Sequence, residues 1–243
     1  MNTNYESNNT SKWLRNCSKG FCLAIFLLAG LSTNAAVTPS FTVISPANAQ
    51  MQTGQTYGEW SVAWWRYILE LPLENQPGLD PTGANCNYAQ SGAVFFLVST
   101  PGGNAVRNEC VVPAGKYLFF ALLGNSQVKA ITDHYPEVSM RASIQGFNNS
   151  AKNLQANIDG EDISLSLNPK STPLRTRSPD GFFTVTAPEN NIFGGIPGET
   201  YYGVSDGFYL MVAPLSPGAH TITFGGNTRN FSSYVTYNLV VAP

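Results

Sequence analysis

Two carboxylates are the strongest candidates for catalysis in this sequence. Glycoside hydrolysis requires two carboxyl groups that face one sugar, about 5 to 9.5 Å apart. Glu59 lies in a tryptophan-rich segment and Asp80 lies in the Gly/Pro-rich loop that follows it, so both could face one cleft. Each also has a structural interpretation, because Glu59 with Thr56 matches a capping box and Asp80 precedes Pro81 at a turn signal. Glu59 and Asp80 are the catalytic candidates, with these alternatives open.

Aromatic side chains are the main positive signal for ligand binding. The chain has 14 Phe, 11 Tyr and 4 Trp, and aromatic rings form flat platforms for the faces of sugars. Tyr201 and Tyr202 lie beside a long glycine-rich loop, and Tyr88 lies in the loop that contains Asp80. Because loops carry binding residues more often than strands do, we predict a binding role for these tyrosines. Trp64 is a further ligand-binding candidate, although its helical spacing favours the core.

Other catalytic and metal-binding signatures are scarce. The sequence contains no H-E-x-x-H, G-x-S-x-G or P-loop motif. A structural role is favoured for His220 at the start of a predicted strand, and His134 follows an aspartate that could orient its ring. Three carboxylates within Asp159–Asp162 could hold Ca²⁺, but the D-x-D-x-D-G spacing is missing. We therefore predict no metal and no cofactor.

Composition and charge limit the classes of partner. The chain has 243 residues, of which 43% are hydrophobic and 12% charged, with a formal net charge of -2. This apolar fraction is typical of a folded globular chain. The first 36 residues carry three basic groups and one acidic group, so the remainder has a net charge of -4. A mildly acidic surface disfavours nucleic acid and other polyanions as partners.

The N-terminus has the pattern of a secretory signal peptide. Basic residues precede the 11-residue apolar run Phe21–Leu31, and small residues follow it. This run is too short to span a bilayer as a helix, although an uncleaved anchor is the alternative. We predict cleavage after Ala36, alternatively after Ala49. The mature protein is then secreted or periplasmic, with no stable membrane insertion.

Cysteine usage agrees with that compartment. Cleavage removes the first two cysteines and leaves Cys86 and Cys110. Two cysteines in an oxidising compartment favour a single disulfide, for which only one connectivity exists. A metal site is the weaker alternative, because no C-x-x-C motif or nearby histidine pair would complete it.

The elements that must position these residues are mostly short strands. A capping-box signal and Pro72 predict a helix over Thr56–Leu71, and apolar spacing predicts a second over about Pro136–Lys152. Eight or nine strands at hairpin spacing predict a mainly β protein, an antiparallel β-sandwich with two accessory helices. Residues 37–243 would form this single domain. The predicted strands are Ala93–Ser99, Ala105–Val112, Lys116–Leu123, Leu154–Ile158, Ile163–Leu167, Phe182–Ala187, Asp206–Val212, His220–Phe224 and Tyr234–Val241.

Several motifs in this chain occur together in one protein family. They are YGxWxxxWW from Tyr57, DxTGxxC from Asp80, VPAGKxLFF from Val112, DGFY from Asp206 and PLSPGxHT from Pro214. On these motifs, the chain from Tyr57 to Val241 resembles a family of secreted bacterial proteins of unknown function. The resemblance implies secretion, a single domain and the Cys86–Cys110 pairing. It implies no catalytic residue.

Three functional hypotheses follow from the sequence. The first is a secreted protein that binds an extracellular or cell-surface polysaccharide, which accounts for the loop aromatics and the scarcity of catalytic motifs. The second is an extracellular hydrolase or lyase that acts on a glycan through Glu59 and Asp80 or through an Asp–His pair. The third is a structural or adhesive surface protein that self-associates. The sequence leaves the oligomeric state open.

Overall fold

The computed structural model describes residues 41–163 and 172–243. Over these residues the chain is mainly β, as predicted, and its strands form two sheets in a sandwich-like arrangement. The helices are α1 (Pro46–Thr53), α2 (Tyr57–Leu69) and α3 (Glu137–Asn149). The strands are β1 (Val43–Ile44), β2 (Val94–Leu97), β3 (Gly103–Arg107), β4 (Val111–Pro113), β5 (Tyr117–Ala130), β6 (Lys152–Ile158), β7 (Glu161–Asp162), β8 (Arg175–Arg177), β9 (Phe183–Thr186), β10 (Thr200–Val212), β11 (Gly218–Asn227) and β12 (Ser232–Ala242).

The first sheet is built around β10. One edge of β10 pairs with β5, and its other edge pairs in succession with β9, β8 and β1. Elements cover both faces of β10, which explains why the strand is almost continuously buried. β5 and β10 lie close together at Gly207, where an added Cβ would lie 2.9 Å from the Cα of Gly124. A side chain at Gly207 would therefore separate the two strands.

The second sheet is built around the β11–β12 hairpin. β6 and β7 extend it beyond β11, while β3 and β4 both pair with the outer edge of β12. Phe120 of β5 and Phe224 of β11 contact each other across the sandwich, with ring centroids 4.4 Å apart. The main core therefore lies between the two sheets.

Both sheets are mixed, whereas the sequence predicts antiparallel ones. β2 runs parallel to β5, and β3 and β4 run parallel to β12. The predicted hairpin between the first two strands does not form, because the chain crosses from the first sheet to the second after β2. β3 and β4 find their partner, β12, far along the chain, whereas β2 pairs with β5 after two strands of the other sheet.

Helices α2 and α3 lie where the sequence predicts them, but their ends differ from the predicted ones. The capping box of α2 is confirmed, since Thr56 accepts a hydrogen bond from the Glu59 N–H and the Glu59 carboxylate accepts one from the Thr56 N–H. α2 ends at Leu69. α3 ends at Asn149 rather than Lys152, which instead begins β6. α1 was not predicted from the sequence.

The predicted disulfide is confirmed between Cys86 and Cys110, with a sulfur–sulfur distance of 2.13 Å. The predicted signal peptide, residues 1–36, and most of the predicted strand Ile163–Leu167 lie outside the described residues. Among the described residues, no helix is long and apolar enough to cross a membrane. The alternative cleavage site after Ala49 falls inside α1, where Ala49 is fully buried.

Candidate functional site

Glu59 lies in the first turn of α2 with an exposed side chain. Its Oε2 accepts hydrogen bonds from the backbone N–H of Thr56 at 2.7 Å and from the Thr56 hydroxyl at 2.8 Å. The backbone hydrogen bond from Thr56 is the main reason that the pKa of Glu59 lies below its ordinary value. The carboxylate is therefore ionised at neutral pH and fixed in position.

Asp80 organises its own loop. Its Oδ1 accepts hydrogen bonds from the backbone N–H and the hydroxyl of Thr82, both at 2.8 Å, and its Oδ2 accepts one from the Asn85 N–H at 2.7 Å. Burial alone would raise the pKa of Asp80, but these hydrogen bonds outweigh it and lower the pKa. The structural interpretation of Asp80 as a turn residue accounts for these contacts.

The structure does not bring Glu59 and Asp80 together. The backbone N–H of Asp80 donates to the carbonyl of Gln76, and the Gln76 side chain donates to the carbonyls of Ile68 and Leu71 at the end of α2. Glu59 lies nine residues before Ile68 in α2, which corresponds to about 14 Å along the helix axis. The expectation that both face one cleft is therefore wrong. A glycosidase acid also needs a raised pKa, and both pKa values are lowered.

The four predicted binding aromatics lie in separate places. Trp64 and Tyr202 are core residues, only 3% and 9% exposed, because each packs between a helix and the first sheet. Tyr201 is half-buried under the glycine-rich loop, where its hydroxyl accepts a hydrogen bond from the Ile196 N–H at 2.8 Å. Tyr88 is 42% exposed beside the disulfide. These residues do not form one binding surface.

A groove on the exposed side of α2 collects polar and aromatic side chains. Its volume is about 530 Å³, and its two walls are α2 and the segment 178–183. We call it the α2 groove. The side chains that characterise it are Gln55, Glu59, Arg66, Asp180 and Phe182. Of the sequence candidates, Glu59 alone lines it.

Phe182 supplies an exposed ring to the α2 groove. Its side chain is 43% exposed, which is unusual for a phenylalanine next to a core strand. The ring contacts Tyr202 with centroids 4.5 Å apart. Tyr202 is itself fixed, because its hydroxyl accepts a hydrogen bond from the Tyr135 N–H at 2.6 Å. Tyr202 thus supports the exposed ring from behind, although it does not line the groove.

The segment 178–183 is held by two residues of α3. The guanidinium of Arg141 donates to the carbonyls of Ser178, Pro179 and Gly181 at 3.2, 2.7 and 3.1 Å. Glu137 accepts hydrogen bonds from the Gly181 N–H at 3.0 Å and from Arg141 at 2.6 Å. The hydrogen bond from Arg141 is the main reason that the pKa of Glu137 is lowered. The groove wall is therefore ordered without a ligand.

Arg66 provides a fixed donor on the opposite wall. Its Nε donates to the carbonyl of Thr184 at 2.9 Å, and Arg66 is one of the residues that line the groove. Its neighbours Glu59 and Asp180 are acceptors when ionised, so the groove offers both signs of charge. This set can hydrogen-bond hydroxyl groups beside a flat ring.

His220 and the hairpin carboxylates Asp159 and Asp162 have hydrogen-bond partners within the fold. Both ring nitrogens of His220 have partners, the Asp159 carboxylate at 2.7 Å and the Ser216 carbonyl at 2.8 Å. Asp162 accepts a hydrogen bond from the Asn157 side chain at 2.8 Å. Within residues 41–163 and 172–243, no group of three His, Cys, Asp or Glu residues could hold a metal ion. The structure thus gives the calcium alternative no support.

One wall of the α2 groove has a signature in the sequence. Ser178-Pro179-Asp180-Gly181 is a strong turn signal, and two phenylalanines follow it directly. Such a turn exposes the first ring while the second enters a strand. Neighbouring residues in the sequence do not indicate that Arg66 lines the groove or that α3 holds the segment 178–183, because these contacts join residues far apart in the chain.

Comparisons with protein-family models, with curated proteins and with solved structures find no match to this chain. The resemblance to a family of secreted bacterial proteins therefore stays a prediction.

Proposed function

We propose that this protein binds an extracellular or cell-surface polysaccharide in the α2 groove. One observation carries the proposal: the exposed ring of Phe182 lies in an open groove with the fixed side chains of Glu59 and Arg66 and with Asp180. Sugars present C–H faces that pack on aromatic rings and hydroxyls that both donate and accept hydrogen bonds. The groove supplies a partner for each.

The form of the site suits a polymer. The groove has the volume of a small-ligand site and is partly open to solvent, so a segment of a polymer could enter it. Arg141 and Glu137 hold one wall, and the capping box holds Glu59 on the other. Binding therefore costs little ordering of the protein, which favours affinity for a flexible polymer.

The predicted compartment supports this partner. The disulfide is typical of secreted and periplasmic proteins, and the N-terminal sequence predicts export. We propose that the mature protein acts outside the cytoplasm, where polysaccharides and peptidoglycan are accessible. The hydrolase hypothesis loses support because Glu59 and Asp80 lie apart and both have lowered pKa values.

The test is depletion of the mature protein, residues 37–243, by a panel of insoluble polysaccharides and peptidoglycan. We expect one polymer to deplete the wild type, and Phe182→Ala to weaken that binding about tenfold or more. Tyr88→Ala is the matched control, because Tyr88 is equally exposed and lies outside the groove.

Two results would contradict the proposal. Depletion that survives Phe182→Ala but is lost in Tyr88→Ala would move binding to the loop beside the disulfide. No depletion by any polymer, with self-association that rises with concentration, would support the structural or adhesive alternative instead.

A further inference from the structure

A second, deeper pocket lies on the other side of α2. It has a volume of about 190 Å³ and shares no lining residue with the α2 groove. Its walls come from α2, β5 and the loops after α2 and β2. The apolar part of the lining includes Trp64, Trp65, Ile68, Val98, Leu123 and Phe231. Trp64 was a ligand-binding candidate from the sequence, and it lines this pocket rather than the groove.

Gln76 is a polar residue in this apolar lining. It is 1% exposed, and its Nε2 donates to the carbonyls of Ile68 at 2.6 Å and Leu71 at 2.9 Å. These two bonds assign the amide orientation, so Oε1 is the free acceptor. Oε1 is buried and accepts no hydrogen bond from any described residue. A buried acceptor without a donor is unfavourable, and Gln76 belongs to the lining of the pocket, so a ligand that displaces the side chains covering Oε1 would supply the missing donor.

Arg107 fixes the walls of the pocket. It is 1% exposed and donates to the carbonyl of Gly78 at 2.8 Å on one loop and to those of Val98 and Ser99 on the other. These loops carry pocket residues. The pocket is therefore formed in advance, as small-molecule sites usually are.

The mouth of the pocket is apolar and accessible. Leu79 and Ile192 both belong to the lining and are 45% and 39% exposed. They come from two separate loops, so a small molecule could enter between flexible side chains without unfolding an element.

We propose that this pocket binds a small neutral molecule about the size of a six-membered ring, whose hydroxyl or N–H group donates a hydrogen bond to Oε1 of Gln76. The size follows from the volume, since an apolar cavity of about 150 Å³ holds benzene. The apolar lining selects against charge, and the Gln76 acceptor selects for one donor. This inference does not rest on glycan binding in the α2 groove.

The experiment is ligand-observed ¹⁹F NMR on residues 37–243 with three probes. 4-Fluorophenol carries the donor, while fluorobenzene and 4-fluoroanisole lack it and bracket its size. We expect 4-fluorophenol to bind about tenfold more tightly than either. Equal binding of the three probes would refute the role of Gln76, and no binding of any probe would refute the site.

Three variants show where the probe binds. Two of them leave Gln76 unchanged, so their result does not depend on whether a Gln76 variant folds. Ser99→Phe places a ring in the pocket, where the Ser99 side chain is half-buried, and should abolish binding of 4-fluorophenol. Ser139→Phe, on the exposed side of α3, is the matched control and should bind as wild type. Gln76→Met should lose the preference for the donor probe. Binding unchanged by Ser99→Phe would place the probe elsewhere and overturn the proposal.

Discussion

Substitution of Arg107 by lysine should destabilise the fold strongly, although the charge is kept. Arg107 is among the largest fully buried side chains. Its guanidinium lies over the Tyr237 ring, 5.1 Å from the centroid. Its donors reach five acceptors: the carbonyls of Gly78, Asp80, Val98 and Ser99 and the hydroxyl of Tyr237.

The expected cost follows from the geometry of the donors. A lysine ammonium carries its three N–H donors on one atom, without the planar fork of arginine, so it cannot reach the separate acceptors that Nε, Nη1 and Nη2 of Arg107 contact. Val98 and Tyr237 keep their hydrogen bonds to each other, but the carbonyls of Gly78, Asp80 and Ser99 cannot all keep a donor. Each buried group left unsatisfied costs about 1–3 kcal/mol. Since water can reach some of the loop carbonyls, we expect Arg107→Lys to lower the free energy of unfolding by about 3 kcal/mol.

The assay is denaturant unfolding followed by tryptophan fluorescence, with Arg229→Lys as the control. Arg229 is exposed, and its substitution should change the free energy of unfolding by less than about 0.5 kcal/mol. Hydrogen exchange of Arg107→Lys should also rise in residues 78–80 and 98–99, the loops that Arg107 joins. A loss below about 1 kcal/mol for Arg107→Lys would refute the role given to the guanidinium fork.

Two further predictions concern Trp64 and His220. Trp64 is buried and its indole N–H donates to the Leu97 carbonyl at 3.1 Å, so Trp64→Ala should cost about 3–5 kcal/mol in denaturant unfolding; unchanged stability would contradict its core position. Burial opposes the charged form of His220, but its hydrogen bonds to Asp159 and Ser216 outweigh this and raise the pKa above 6.5. The resulting stabilisation is complete below about pH 6.5 and is lost as pH rises through the folded-state pKa; His220→Gln should remove that decline, and an identical pH profile in the variant would refute the assignment.

Features encoded by neighbouring residues were predictable. The capping box of Thr56 and Glu59 lies within one turn, so the sequence alone locates the start of α2. The Cys86–Cys110 bond followed from two cysteines and one predicted compartment. The β11–β12 hairpin is likewise local, because its strands are separated by a short turn. The capping box and the hairpin depend on contacts close in sequence, whereas the disulfide was predictable because two cysteines allow a single pairing.

Strand pairing was less predictable because it depends on distant partners. Gly103 of β3 pairs with Ser233 of β12, so that register joins segments separated by more than half of the chain. The hairpin signals between β2 and β5 describe turns, but a turn does not decide whether the next strand stays in the same sheet. The parallel pairings therefore had no local signature.

The candidate site was predicted only in part for the same reason. Glu59 was identified from its residue type, but its companions in the groove are not those expected. Arg66 is seven residues from Glu59, whereas Asp180 and Phe182 reach the groove only because Arg141 holds their segment against the fold. The sequence shows the residues of that segment without showing what they face.

The most direct test of the proposed function is a hydrogen-exchange footprint of residues 37–243 with and without the polysaccharide that depletes the protein. We expect the polysaccharide to protect backbone amides from exchange in the first turns of α2 and in residues 178–183, the two walls of the α2 groove. Protection confined to the loop around Tyr88 or to the loop before Tyr201, with the groove walls unchanged, would contradict it.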